Sequence, residues 1–198
     1  MDLDPAPRHT SRFELRPFKR RDAEPLLEAV GKSLPELHQW LPWAHLGYNR
    51  IDANRFIRET ARAWKEGRAF DFAIRAHADM DRHIGNISVW HVSRPFRVGE
   101  IGYWIRSDET RGGAGTEATA RVLAVAFDEL RMHRVVLRIA VGNRGSERIA
   151  EKLGFSVEGV LREEIKVAGT WLDHTVYSLL EDEYERRREA IQAVHGGS

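Results

Sequence analysis

The chain predicts one α/β domain, a mixed and mostly antiparallel twisted sheet of about seven strands flanked by helices. Three observations carry this. Strand-like runs at 70–76, 83–92 and 98–105 follow one another through short connections, which implies antiparallel neighbours. A strand–helix–strand succession then runs from Glu100 to Val141, which implies a parallel pair with a right-handed crossover. Two further strand-like runs, 155–167 and 170–180, turn at Ala168-Gly169.

In chain order, Arg12-Phe-Glu-Leu-Arg-Pro-Phe18 alternates and predicts a first strand. Asp22 stands where it can cap a helix running to about Val30. Residues 34–48 hold Trp40-Leu-Pro-Trp43, too apolar for a plain loop, so its aromatics belong to the core or to a pocket wall. Asp52 is placed to cap a second helix with Phe56, Ile57, Thr60 and Trp64, and Gly67 stops it. A helix over 116–131 carries Val122, Leu123, Ala126, Phe127 and Leu130 on one stripe, which packs it on the sheet. The most β-rich run, 134–141, follows. Asn143 then caps a helix that ends at Leu153, with Gly154 beyond it. A polar helix from about Asp182 closes the chain. The expected organisation is a loose leader over 1–11, the domain over 12–182, and a C-terminal helix and tail over 183–198.

At 198 residues, 42% hydrophobic and 31% charged, the chain has the make-up of one soluble domain with a sizeable core. The net charge is +1, so no global field favours nucleic acid or a membrane surface, and Arg186-Arg-Arg188 reads as a solvated helix face. No segment approaches the roughly 20 apolar residues of a membrane span. There is no cysteine, which removes disulfides, cysteine nucleophiles and thiolate metal sites and suits a cytoplasmic setting. The nine histidines show no metal-ligand spacing. His83 and His91 could share a strand face but cannot chelate one ion together, so no metal is expected.

The most informative stretch is Thr110-Arg-Gly-Gly-Ala-Gly-Thr-Glu-Ala118, a glycine-rich turn between a strand and a helix. Such a turn sets bare backbone N–H groups at the positive end of a helix. Gly112, Gly113 and Gly115 would let backbone approach a pyrophosphate, and Arg111 adds charge. The G-K-[ST] of a nucleoside-triphosphate loop is missing, as is the full G-x-G-x-x-G of a dinucleotide site.

Here the chain resembles the GNAT superfamily of acyl-CoA N-acyltransferases. Their phosphate loop reads [Q/R]-x-x-G-x-[G/A], and Thr110-Arg-Gly-Gly113-Ala-Gly115 departs from it only at the first position. A second match is Asn143-Arg-Gly-Ser146-Glu-Arg-Ile-Ala150-Glu-Lys-Leu-Gly154-Phe155-Ser-Val-Glu158-Gly159. With Glu100-Ile-Gly-Tyr-Trp104 and Trp40-Leu-Pro-Trp43, it resembles the branch that acetylates ribosomal-protein N-termini.

The resemblance implies a GNAT-like sheet splayed between its two central parallel strands, with acetyl-CoA as cosubstrate. The pyrophosphate would sit on residues 111–116: Arg111, Gly112, Gly113, Ala114, Gly115 and Thr116. The strand ending at Ile105 would pair with the pantetheine arm, and Asn143 would hydrogen-bond the same arm. The acceptor would be a primary amine, foremost a protein or peptide N-terminus, with a small-molecule amine close behind. A succinyl or other acyl donor, or a non-catalytic acyl-CoA sensor, are the rival readings. A homodimer is the branch's habit.

Acetyl transfer to an amine must strip an ammonium proton, stabilise an oxyanion and receive a thiolate. Glu100 is the candidate base, because related histone-acetylating enzymes carry a base Glu near the start of the equivalent strand; the alternative is a rim carboxylate that attracts a cation. The Tyr acid of many members falls here at Ala150 and is absent. Ser146 matches the branch serine proposed to meet the CoA sulfur, or else supports its helix. Serine-directed members carry a base carboxylate at the position of Ile165 here. Glu163 and Glu164 flank it, but strand alternation would turn Glu164 to the opposite face.

Overall fold

Eight strands form one sheet in the order β1-β2-β3-β4-β5-β6-β8-β7, in a computed structural model that describes residues 3–196. The strands are β1 Arg8–His9, β2 Phe13–Pro17, β3 Ala69–Ala76, β4 Asp79–Ser93, β5 Val98–Ile105, β6 Arg134–Ala140, β7 Ser156–Val167 and β8 Thr170–Leu180. Every neighbouring pair is antiparallel except β5–β6, which is parallel. The eighth strand is β1, a two-residue strand inside the stretch expected as a loose leader; it pairs with β2, its Arg8 is buried, and Leu3 and Thr10 to either side are buried too.

The parallel pair is short. β5 pairs with β4 as far as Ile105, but with β6 only at Val98, Gly99 and Glu100. From Ile101 to Ile105 one edge of β5 therefore faces no strand, and the sheet opens there into a V.

Helices cover both faces. On one, α3 (Ala114–Ala124), α4 (Arg144–Leu153) and α5 (Glu181–His195) enclose the larger core of Phe70, Phe72, Ile87, Ile101, Leu123 and Phe127. On the other, α1 (Ala23–Leu37) and α2 (Arg50–Lys65) enclose a smaller core around Leu26, Val30, Ile57, Ala73 and Trp104. α1 runs a further two turns past the expected end at Val30, through Gly31 and Pro35. Leu26, Ala29, Val30, Ser33 and Leu37 form one buried stripe, and that burial outweighs the intrinsic cost of a helical glycine.

Both carboxylates expected as caps act differently. Asn49 caps α2 by accepting from Ile51 N at 2.8 Å, while Asp52 reaches back to accept from Asn49 N at 3.0 Å. Asp22 is buried and makes no cap bond to α1. It accepts from Arg16 through both oxygens (2.7 and 2.8 Å), from Arg75 Nη2 (2.9 Å) and from Lys19 N (2.7 Å). This network ties β2, β3 and the start of α1 together.

The helix expected over 116–131 begins at Ala114 and widens after Ala124. Leu130 N bonds Val125 O across five residues, at 2.9 Å. His83 and His91 take opposite faces: His83 packs on Phe18 of the smaller core, His91 on Phe70 of the larger. A register shift in the β3–β4 pairing at Arg75 breaks the simple alternation between them.

Candidate active site

The glycine turn is pinned before it can hold anything. Arg111 and Gly113 both adopt left-handed backbone, at φ 66° and 85°. Gly113 is the N-cap of α3, and Glu117 N makes the helix's first backbone bond, to Gly113 O at 3.0 Å. The N–H groups of Ala114, Gly115 and Thr116 are thus the orphan donors of the first turn. Glu117 lies buried just below. Burial pushes its carboxyl up, but hydrogen bonds from Thr10 and Arg12 outweigh this and hold it below the ordinary range. Thr10 Oγ1 donates to it at 2.5 Å, Arg12 N at 3.0 Å and Arg12 Nε at 2.8 Å, while Arg12 Nη1 holds Gly112 O at 2.8 Å. The residues after β1 thereby clamp the loop.

A cleft of about 790 Å³ opens above this turn, between the free edge of β5 and α4. Of the predicted cofactor residues, Ile105, Arg111, Gly113, Ala114, Gly115, Thr116, Asn143 and Ser146 line it. Gly112 sits in the turn outside the wall. A Cβ on Gly115 would stand 2.8 Å from Ile149 Cδ1, so this glycine lets α3 close on α4. Arg144, Arg148 and Lys152 also face the cleft. Sequence reasoning missed them, although their i, i+4, i+8 spacing puts three cations on one face of α4. With Arg111 they make the wall electropositive, as a polyphosphate requires. Gly113→Val is expected to lower CoA affinity at least tenfold, because a β-branched residue resists φ 85° and its side chain would crowd Arg12 Nη2. Calorimetry with CoA is the check, and unchanged affinity would remove the turn from the site.

Asn143 caps α4 as expected, its Oδ1 accepting from Ser146 N at 3.3 Å. That commits the oxygen and leaves the amide nitrogen as the group able to reach into the cleft. Asn143→Ala is expected to cost about 1 kcal/mol of stability through the cap and also to weaken CoA binding. Thermal unfolding and calorimetry separate the two: a stability loss with normal binding confines Asn143 to capping. The half-buried Ser146 lines the cleft from the first turn of α4. Tyr103, on β5, points its hydroxyl at Ser146 O from 3.5 Å, and burial pushes its phenol up to about 12, so the proton stays on.

Glu100 sits on the opposite face of β5, where β5 and β6 part, and is 7% exposed. Arg138 clasps it with two nitrogens, Nε to Oε1 and Nη2 to Oε2, both at 2.9 Å. Burial raises its carboxyl above the ordinary range; Arg138 opposes this, and the charge on Glu164 adds to the rise. Glu164 is the surprise. Strand alternation turned it away, but β7 bulges: Leu161 pairs with His174 and Ile165 with Leu172, so three β7 residues oppose one on β8. Glu163 takes φ 50° inside the bulge, and Glu164 comes round to Arg138 Nη1 at 2.5 Å. Its Oε2 is buried without a hydrogen-bond partner among the described residues, 3.5 Å from His174 Nδ1. The fold thus supplies a second carboxylate beside Glu100 that residue counting had removed.

A second cavity, about 560 Å³, lies on the α1/α2 side of the sheet. Trp43, Tyr48, Phe56, Trp90 and Trp104 wall it, and Leu41, Tyr103 and Trp104 also line the first cleft, so the two meet there. The Trp40-Leu-Pro-Trp43 stretch is therefore chiefly pocket wall: Trp40 lines the cleft, Trp43 the cavity and Leu41 both.

Over residues 12–156 the chain matches the family model of the acetyltransferase (GNAT) domain. It is 33% identical over 172 residues to a Bacillus subtilis protein named "Putative ribosomal N-acetyltransferase YdaF", spanning 86% of this chain and 92% of that one. It is 25% identical over 172 residues to the ribosomal-protein-serine acetyltransferase of Escherichia coli, spanning 86% and 93%. It superimposes with a TM-score of 0.79 on the microcin C7 self-immunity acetyltransferase MccE, solved in complex with acetyl-CoA and AMP. That match covers 86% of this chain and 93% of the other at 22% identity, a likeness of fold.

Proposed function

This chain belongs to the GNAT acetyltransferase family and is an N-acetyltransferase, and from that premise we propose that it moves an acetyl group from acetyl-CoA directly to a primary amine, with a protein or peptide N-terminal α-amine as the leading acceptor. The observation that carries the reading is the meeting of two cavities at Leu41, Tyr103 and Trp104, one electropositive and floored by the glycine turn, the other walled by aromatics. Arg111 and the first-turn amides of α3 would hold the pyrophosphate, with Arg144, Arg148 and Lys152 adding charge. The free edge of β5 up to Ile105, and Asn143, would pair with the pantetheine arm.

Acetyl-CoA supplies the activated acyl group. Glu100 takes the proton from the acceptor ammonium, directly or through one water, and frees the lone pair that forms the N–C bond as the C–S bond breaks. Ser146 and Tyr103 offer O–H groups to the departing thiolate from the cleft wall. Glu164 holds Arg138, and Arg138 holds Glu100. A small-molecule amine is the second reading, favoured by the walled shape of the aromatic cavity. The reading extends to a cytoplasmic homodimer, as the resemblance to the ribosomal-protein branch implies.

The test is release of free CoA over a panel of N-terminal peptides and small amines with acetyl-, propionyl- and succinyl-CoA. Turnover with acetyl-CoA and a peptide supports the leading reading. Turnover confined to small amines supports the second, and a preference for succinyl-CoA changes the donor. CoA binding with no turnover on any pair would make the protein a sensor.

A further inference from the structure

Resting on the transferase reading, we infer that the 560 Å³ cavity selects the acceptor, and that it takes a primary amine carrying an aromatic or large apolar group beside the nitrogen. Three features argue for this. The walls are rings. Trp43 is 39% exposed, with its centroid 5.9 Å from both Tyr48 and Trp104, so a large apolar surface stays open to the cavity. Trp90 lies across Gly102, where an added Cβ would meet the indole at 3.2 Å, so the sheet floor is itself aromatic. A small acceptor would leave these faces in water, whereas an apolar body covers them, and each ring also attracts an adjacent ammonium.

The polar groups on the floor are few and oriented. Ser88 Oγ spends its proton on Asp71 Oδ1 at 2.5 Å, so it presents lone pairs and accepts from an N–H. Asn86 Oδ1 is held by His83 Nε2 at 2.7 Å, which leaves the amide nitrogen as a donor to a carbonyl. The two lie two residues apart on one face of β4, roughly 6.6 Å along the strand. One acceptor and one donor at that spacing suit an amide group, so an α-amino amide fills the cavity better than a bare alkylamine. At the rim Asp52 and Glu59 outnumber Arg55, a balance that admits a cation.

The experiment loads the protein with CoA and titrates phenylalaninamide, leucinamide and alaninamide by calorimetry, then short peptides beginning with the same residues. Phenylalanine compounds are expected to bind on the order of 10–100-fold tighter than alanine ones. Trp43→Ala, at a position exposed enough to spare the fold, is expected to collapse that ratio while CoA affinity holds. Equal or absent binding of the aromatic amides, or a ratio that survives Trp43→Ala, overturns the inference. Matched peptides that keep the ratio identify a polypeptide source, and amides that alone show it identify a free metabolite; both support the cavity's chemistry. An intact binding ratio with no acetylation from acetyl-CoA refutes the transferase reading and leaves the cavity assignment standing.

Discussion

Glu100→Gln is expected to lower kcat by about 10²–10⁴-fold while acetyl-CoA affinity stays near that of the wild type. The carboxylate lies where β5 and β6 part, away from the glycine turn, so its loss should spare the cleft proposed for the cofactor. The deficit should shrink as pH rises, because the amine then arrives already deprotonated. A companion variant makes the test sharper. Burial raises the proton affinity of Glu100, and the two bonds from Arg138 pull it down. Removing the guanidinium in Arg138→Met should therefore move the acid limb of the kcat/KM profile to higher pH if Glu100 is the base. If Glu100 only attracts a cation, Glu100→Gln should raise the acceptor's KM, added salt should mimic part of the effect, and the acid limb should stay where it is.

Asp22→Ala is expected to cost about 3–5 kcal/mol of stability, since it strands two buried guanidiniums. Arg16 and Arg75 are 5% and 1% exposed, and Asp22 is their shared carboxylate. For a chain of this length that is a drop of roughly 6–20 °C in Tm, measured by calorimetry. The pH dependence has a definite sign. Burial pushes the Asp22 carboxyl up, but the bonds from Arg16 and Lys19 outweigh it and hold the folded value below the ordinary one. The contribution is therefore complete above the unfolded value of about 3.9 and is lost as acid takes the pH below it. A variant that melts within a degree of wild type would show the network to be dispensable.

Much of this molecule was legible in its residues, and the reason is locality. The strand boundaries on either side of the glycine turn depend on alternation and short connections. The cap at Asn143, the left-handed start at Gly113 and the left-handed stop at Gly154 depend on the chemistry of four or five neighbours. The lining of the glycine-floored cleft was legible because a strand, a turn and a helix N-terminus are contiguous in the chain.

The Glu100 cluster and the aromatic cavity were not legible, because their parts are brought together by pairing between distant segments. Glu100 and Arg138 lie 38 residues apart, and Glu164 reaches them only because β7 inserts extra residues opposite β8. Alternation assumes a regular strand, and a bulge breaks it without a signature as plain as a Gly-rich turn. Asp22 looked like a cap because its neighbours begin a helix; its true partners, Arg16 and Arg75, meet it only once β2 and β3 pair beneath α1. The amino-acid sequence by itself determined the mixed α/β sheet, the glycine cradle and the capped helix beside it, since each is written in short-range geometry. Only the tertiary structure decided which carboxylates share a guanidinium and which tryptophans face a cavity, because burial and charge pairing are properties of segments that the chain keeps far apart.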